Sequence, residues 1–255
     1  MNTFIEFQDV FFSYHTINGE TPALHHINFS VQKNDFVAIV GPSGCGKSTL
    51  LSMLCGLLTP ERGTITLDGA PLSPKSRQSI GYMLQKDQLF EWRTIEKNIF
   101  LGLEIQKKLD SESRAYARSL LKTYGLYDFR DAKPSELSGG MRQRAALIRT
   151  LILKPELLLL DEPFSALDYQ TRLNTANDIG NIIKQEKKTA ILVTHDIAEA
   201  VSLGSRVIIL SSRPATVKCI VPITFSKDLT PLERRNAPEF KTYFNLIWKE
   251  LNENA

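Results

Sequence analysis

Apolar residues in this chain gather in short, compact runs. Phe36 to Val40, Leu157 to Leu160, Ala190 to Val193 and Val207 to Leu210 are followed by loop or helix signals, which predicts strands buried on both faces in a parallel sheet. The opening differs. Thr3 to Tyr14 and Ile27 to Val31 are rich in Phe, Ile and Val, and a polar loop with turn chemistry through Asn18-Gly19-Glu20 separates them, so an antiparallel layer is expected there. Between Thr94 and Gly125 the period becomes helical: Asp110 suits an N-cap, Leu120, Leu121 and Tyr124 follow at helical spacing, and Gly125 terminates. A helical insert over about residues 86–150 is expected. After Pro238, the residues Phe240, Tyr243, Phe244, Ile247, Trp248 and Leu251 recur at the spacing of an amphipathic helix. Its apolar face serves either the chain's own core or a partner. The whole reads as an α/β fold without internal repeats.

Composition narrows the class. The 255 residues suffice for one well-buried core, and 31 basic against 28 acidic side chains, spread along the length, give a net charge of +3. No basic stripe points to nucleic acid. The apolar runs are far shorter than the roughly 20 residues that cross a bilayer, and no signal peptide opens the chain, so a cytosolic location is expected. Cys45, Cys55 and Cys219 lack CxxC spacing, which fits a reducing compartment rather than disulfides or zinc.

Candidate chemistry begins after the first buried run. Gly41-Pro42-Ser43-Gly44-Cys45-Gly46-Lys47-Ser48-Thr49, followed by Leu50, Leu51, Met53 and Leu54, is a complete P-loop in its strand-loop-helix setting. The glycines allow backbone N–H groups to turn toward phosphate oxygens at the positive end of the following helix. Lys47 adds a full charge for the β and γ phosphates, the Ser48 hydroxyl is placed to ligate magnesium, and Thr49 can bond to the α and β phosphates. Cys45 fills a variable position, where a small residue without chemical duty is the preferred reading and a reactive thiol the alternative. A thiol beside a helix N-terminus invites the expectation of a lowered pKa and of alkylation that blocks hydrolysis.

Asp161 and Glu162 close the run Leu157 to Leu160, where adjacent buried charges are costly without a cation. Asp161 would hold magnesium, directly or through water, and Glu162 would polarise an attacking water in line with the γ-phosphate. His195 follows another sheet strand, at the kind of position where α/β ligand sites gather, and is a candidate γ-phosphate contact.

Upstream of those carboxylates stands Leu137-Ser138-Gly139-Gly140-Met141-Arg142-Gln143-Arg144. With it, the chain resembles the ATP-binding cassette (ABC) ATPases over almost its whole length, from Ile5 to about Ile220. The resemblance implies a P-loop core with a parallel sheet, an N-terminal antiparallel β layer and an inserted helical subdomain, together spanning residues 1–225, with 226–255 as a C-terminal helix packed on the same domain. It implies ATP and Mg2+ as ligands. It further implies that Ser138, Gly139 and Gly140 bind the γ-phosphate held by an opposite subunit, a role suited to a Ser-capped helix whose glycines let N–H groups approach an anion. Gln85 matches the family's glutamine that senses magnesium and the attacking water. Ser165-Ala166-Leu167-Asp168 matches the loop that crosses the dimer interface, and Thr194-His195-Asp196 the switch-histidine segment. Tyr14 resembles the adenine-stacking aromatic, with Phe12 and His15 as competitors and core packing as the alternative. Met141 and Ser205 depart from commoner family residues without removing a catalytic group.

The same resemblance implies partners. One cradle with one Ser138 segment calls for a second copy, head to tail, and an integral membrane permease that contacts the helical insert at the cytoplasmic face of the membrane. Leu89-Phe90-Glu91-Trp92-Arg93 is the candidate coupling surface, with insert packing as the competing account of its aromatics. That segment, Gly140 to Arg144 and Ser212-Arg213-Pro214 look most like the nitrate, sulfonate, taurine and pyrimidine-precursor importers, which also use an extracytoplasmic solute-binding protein. The short stretch after the terminal helix leaves little room for an added regulatory domain. Rival readings are an exporter ATPase and a soluble non-transport ABC ATPase. The latter would carry tandem cassettes, a coiled-coil insertion or a basic patch.

Overall fold

The computed structural model describes residues 3–17 and 19–252. Strands β1 (Thr3–Thr16) and β2 (Gly19–Gln32) pair antiparallel. Gly19 to His26, expected largely as loop, are thus the first half of β2. Their pattern escapes simple alternation because the pairing shifts register around Val10 and His26 is left-handed at φ 53°. Asn18, expected in the turn, lies outside the described residues.

β3 (Phe36–Val40) begins a second sheet and runs into α1 (Lys47–Leu54). β4 (Arg62–Leu67) and β5 (Ala70–Pro71) return to the first sheet, giving the order β2-β1-β4-β5. The chain continues through β6 (Ile80–Met83), three helices α2 (Ile95–Ile105), α3 (Ser111–Thr123) and α4 (Gly139–Leu151), then β7 (Leu157–Asp161), α5 (Tyr169–Gln185), β8 (Thr189–Val193), α6 (Ile197–Leu203), β9 (Arg206–Leu210) and β10 (Val217–Pro222). The second sheet has the order β10-β9-β3-β8-β7-β6, parallel except for the β9–β10 edge pair. Two helices, α7 (Pro231–Arg234) and α8 (Pro238–Asn252), complete the described fold.

The continuous apolar runs are explained by what lies on each side of this sheet. Leu157 and Leu159 enter a core with Phe7, Ile27 and Leu50, between the two sheets and α1. Leu158 and Leu160 point the other way, into a core with Ile99, Leu121, Leu147 and Ile179 from the helices. Strand side chains alternate faces, so a strand covered on both sides must be apolar at every position. Burying one such Leu is worth about 1.5–3 kcal/mol.

Helix ends follow their capping residues. Thr94 accepts from Lys97 N at α2, and Asp110 forms a capping box with Ser113 at α3. Asn98, fully buried, ties the turn before α2: its amide donates to the carbonyls of Phe90, Arg93 and Thr94, and its Oδ1 accepts from Phe90 N at 2.7 Å. The turn thereby presents Phe90 and Trp92 outward, their rings 4.7 Å apart, with Trp92 75% exposed. At the other end, α8 seats Ile247 in a third core with Val207 and Ile209, flanked by Phe240, Tyr243 and Leu251. Trp248, part of the same apolar stripe in sequence, is instead exposed.

Candidate active site

The ends of β3, β7 and β8 bring the sequence candidates to one edge of the second sheet. Residues 41–46 join β3 to α1, with Gly44 and Gly46 left-handed at φ 73° and 123°. A side chain at Gly46 would place its Cβ 2.8 Å from Leu24 Cδ2, so β2 presses directly on this turn. Lys47, 7% exposed, opens α1 and donates from Nζ to the carbonyls of Gly41 at 2.8 Å and Pro42 at 2.9 Å. Its charge is therefore held on the inner side of the loop. Tyr14 reaches the same turn: its hydroxyl lies 2.9 Å from Thr49 Oγ1, and its ring stands edge-on to Phe12 at 5.0 Å with 41% of the residue exposed. His15 turns elsewhere, to Glu61 at 2.6 Å.

Cys45 departs from expectation. It is 1% exposed, packed beneath Gly41, where an added Cβ would meet its Sγ at 2.9 Å. Burial pushes its pKa up, outweighing the attraction of Lys47. The expected low-pKa, alkylatable thiol is absent because the side chain faces the core rather than the helix end.

Asp161 terminates β7 between two hydroxyls. Ser48 donates to Oδ1 at 3.3 Å and Tyr82 to Oδ2 at 3.0 Å. Burial raises the Asp161 pKa, opposed by these hydrogen bonds and by Lys47. Tyr82 is in turn pushed up by burial and by Asp161. Glu162, next along the chain, adopts φ 45°, a left-handed backbone uncommon for a side-chain-bearing residue. Its N–H donates to Val193 O at 2.9 Å, and its Oε2 stands 3.1 Å from His195 Nδ1.

A second group encloses this edge. Gln85 Nε2 donates to Ser165 Oγ at 3.0 Å, and Ser165 Oγ donates to Glu162 O at 3.0 Å, so the glutamine is tied to the loop after β7. Asp168 caps α5 through Thr171 N at 3.0 Å, and its pKa is held below the usual range by the Thr171 side chain first and by that backbone hydrogen bond second. Ser138, exposed, caps α4 by accepting from Met141 N at 3.3 Å. Gly139 and Gly140 pack so closely that a Cβ would lie 2.7 Å from Leu167 Cδ2 and 2.6 Å from Thr175 Oγ1 respectively. Among the described residues, no hydrogen bond joins Ser138, Gly139 or Gly140 to the 41–49 loop or to Asp161 and Glu162. Instead α4 grips the Gln85 segment: Arg142 Nε is 3.2 Å from Asp87 Oδ2, and Arg149 donates to the carbonyls of Asp87 and Gln88 at 2.6 Å each.

Two residues of this region were not foreseen. Tyr82 lacks a sequence signal, because its approach to Asp161 depends on β6 lying beside β7. Glu199, 3% exposed on α6, accepts at 2.6 Å from the hydroxyl of Thr194, the residue before His195. An acidic residue in an otherwise apolar helix was the available clue.

With this geometry in place, likeness to known proteins is decisive. The family model described as ABC transporter matches residues 24–165. The chain belongs to the ABC transporter family. It is an ATP-binding, ATP-hydrolysing subunit of that family. It is 47% identical to the uncharacterized ABC transporter ATP-binding protein YtlC of Bacillus subtilis (strain 168), over 98% of this chain and 96% of that protein. It is 40% identical to the aliphatic sulfonates import ATP-binding protein SsuB of Bacillus cereus, over 80% of this chain and 79% of that one. Among solved structures it is similar to the dimeric post-hydrolysis state of the ATP-binding cassette MJ0796 bound to ADP and Pi, with TM-score 0.72 and 29% identity over 87% of this chain and 99% of the other. Among the described residues of this ABC subunit, no helix is long and apolar enough to cross a membrane.

Proposed function

We propose that this ABC subunit acts as a head-to-tail pair that closes on two ATP molecules and drives a membrane permease importing a solute of the nitrate, sulfonate or taurine type. The observation that carries the pairing is the exposed, Ser138-capped start of α4, a helix N-terminus built to approach an anion yet unconnected to its own chain's phosphate loop. A second copy supplies the missing triphosphate. Residues 1–225 are the nucleotide-binding unit in this reading, with α8 of the segment 226–255 packed upon it.

Each side chain then has a task. The N–H groups of 41–49 and Lys47 bind the phosphates, Tyr14 stacks on adenine, and Ser138, Gly139 and Gly140 of the opposite copy close on the γ-phosphate. Glu162 takes the proton of the attacking water. His195, 3.1 Å away, orients that carboxylate and touches the γ-phosphate. Gln85 and Asp168 carry the arrival of nucleotide across the interface through Ser165. The oxygen donors Ser48 Oγ and Asp161 Oδ1, 3.3 Å apart, suit Mg2+, which takes few protein ligands and the rest from phosphate and water. Bound there, the cation would neutralise charge on the phosphates.

Import is supported by the likeness to a sulfonate import subunit, and permease contact by the outward Phe90–Trp92 pair, clamped to α4 through Asp87 and Gln88. Closure at Ser138 thus moves the surface offered to the permease, at the cytoplasmic face. Solute choice rests with the permease and an extracytoplasmic binding protein. The test is Trp92→Ala in a reconstituted transporter: ATP binding stays unchanged while uptake falls about tenfold, as expected for an exposed aromatic anchor. Normal uptake would remove this surface from the account.

A further inference from the structure

Far from the phosphate loop, at the opposite ends of the parallel strands, α5, α6, α7 and the start of β3 surround a cavity of about 340 Å³. Its size falls within the range of small-molecule sites. Phe36, Ile183, Leu203 and Pro231 provide apolar wall, and no Asp or Glu lines it. Around this wall stand Lys184, Lys187, Lys188 and Arg234. Only Lys184 is in an ion pair with a described residue, Asp228. Arg234 donates from Nη1 to the carbonyls of Ser202 and Gly204, lies 5.0 Å over the Phe225 ring and is attracted by Asp228, while its Nε is buried without a partner. One carboxylate, Asp228, thus stands against Lys184 and Arg234 together, which leaves the lining with an excess of positive charge that an incoming anion would reduce.

We infer that this cavity binds a diffusible small organic anion, an acidic headgroup on an apolar body, with the body against Phe36 and Leu203 and the acid at Lys187, Lys188 and Arg234. The charges require an anion. The apolar wall requires more than an inorganic one. The four-residue α7 walls one side of the cavity. The site has a route to the ATPase centre: α6 starts at the Asp196 cap beside His195 and ends at Ser202 and Leu203 in the cavity. A ligand there would bias the helix that positions the switch histidine.

Calorimetric titration of the full chain tests this with octanoate, octan-1-ol and sodium sulfate. Octanoate binds one site per chain with Kd on the order of 1 mM, as befits about ten heavy atoms. Octan-1-ol and sulfate, each lacking one half of the recognised chemistry, bind about tenfold more weakly or not at all. The double variant Lys187→Glu/Lys188→Glu and the cavity-filling Asn181→Trp each lose octanoate by about tenfold or more while keeping wild-type ATP affinity. Absence of octanoate binding, equal binding of octan-1-ol, or undiminished octanoate affinity in both variants overturns the inference. None of these results bears on ATP hydrolysis or dimer closure, which are measured separately.

Discussion

Glu199 offers the sharpest energetic test. Its carboxyl is 3% exposed, accepts from Thr194 Oγ1 at 2.6 Å and is raised from 4.5 to about 7, burial being the main cause, with Asp196 adding to it and Thr194, Arg172 and Arg235 opposing. A shift of that size corresponds to about 3 kcal/mol. The sign follows from which state keeps the proton. Below pH 4.5 folded and unfolded chains both hold it, and the stability is complete; between 4.5 and about 7 only the folded chain does, so stability falls as pH rises and levels off above about 7. Glu199→Gln keeps an acceptor for Thr194 but removes the titration. Urea unfolding between pH 5 and pH 8 should show this component of the wild-type slope vanish in the variant. Glu199→Gln should be close to neutral at pH 5 and more stable than wild type by up to about 3 kcal/mol at pH 8. A difference between the two proteins that stays constant with pH would refute the reasoning.

Two further outcomes follow from the phosphate loop. Gly46→Ala, which must hold φ 123° and place a Cβ 2.8 Å from Leu24, costs about 1–3 kcal/mol and abolishes ATP binding, measurable by denaturation and by nucleotide titration. Preserved stability and ATP affinity would contradict the tight loop. Cys45, buried with a raised pKa, resists iodoacetamide in the native protein at about pH 7.5 and reacts once the chain is unfolded in urea. Peptide mass mapping reads both states, and rapid native labelling would contradict the inward thiol.

The legible parts of this fold are those whose physics is local. Leu157 to Leu160 and Ala190 to Val193 announce buried strands because both sheet faces are covered, and Asp110 announces α3 because its side chain closes the helix end within three residues. β6 and β10 carry no comparable signal. Ile80 to Met83 alternates between half-buried and buried, and Val217 to Pro222 lies at a sheet edge, so neither forms a solid apolar run. Most of the site was legible for a similar reason: Gly41 to Thr49 and Asp161-Glu162 are contiguous chemistry. Tyr82 and Glu199 become meaningful only once sheet order places one beside Asp161 and helix packing buries the other against the Thr194 hydroxyl. The thiol of Cys45 misled because its surroundings in sequence, glycines and a lysine, are polar, whereas its surroundings in space are Gly41 and the core.

In the proposed pair each ATP pocket is shared between two copies, with Ser138 of one closing on the phosphates held by Lys47 of the other. Sedimentation of Glu162→Gln with Mg-ATP is the test, because removal of the proposed catalytic carboxylate should leave ATP bound and unconsumed. The expected result is a monomer without nucleotide, a stable dimer with ATP, and a monomer again when Ser138→Arg is added to the same chain. A dimer that forms equally well with Ser138→Arg, or a chain that stays monomeric with ATP while the wild type hydrolyses it at full rate, would rule out a pocket shared in this way.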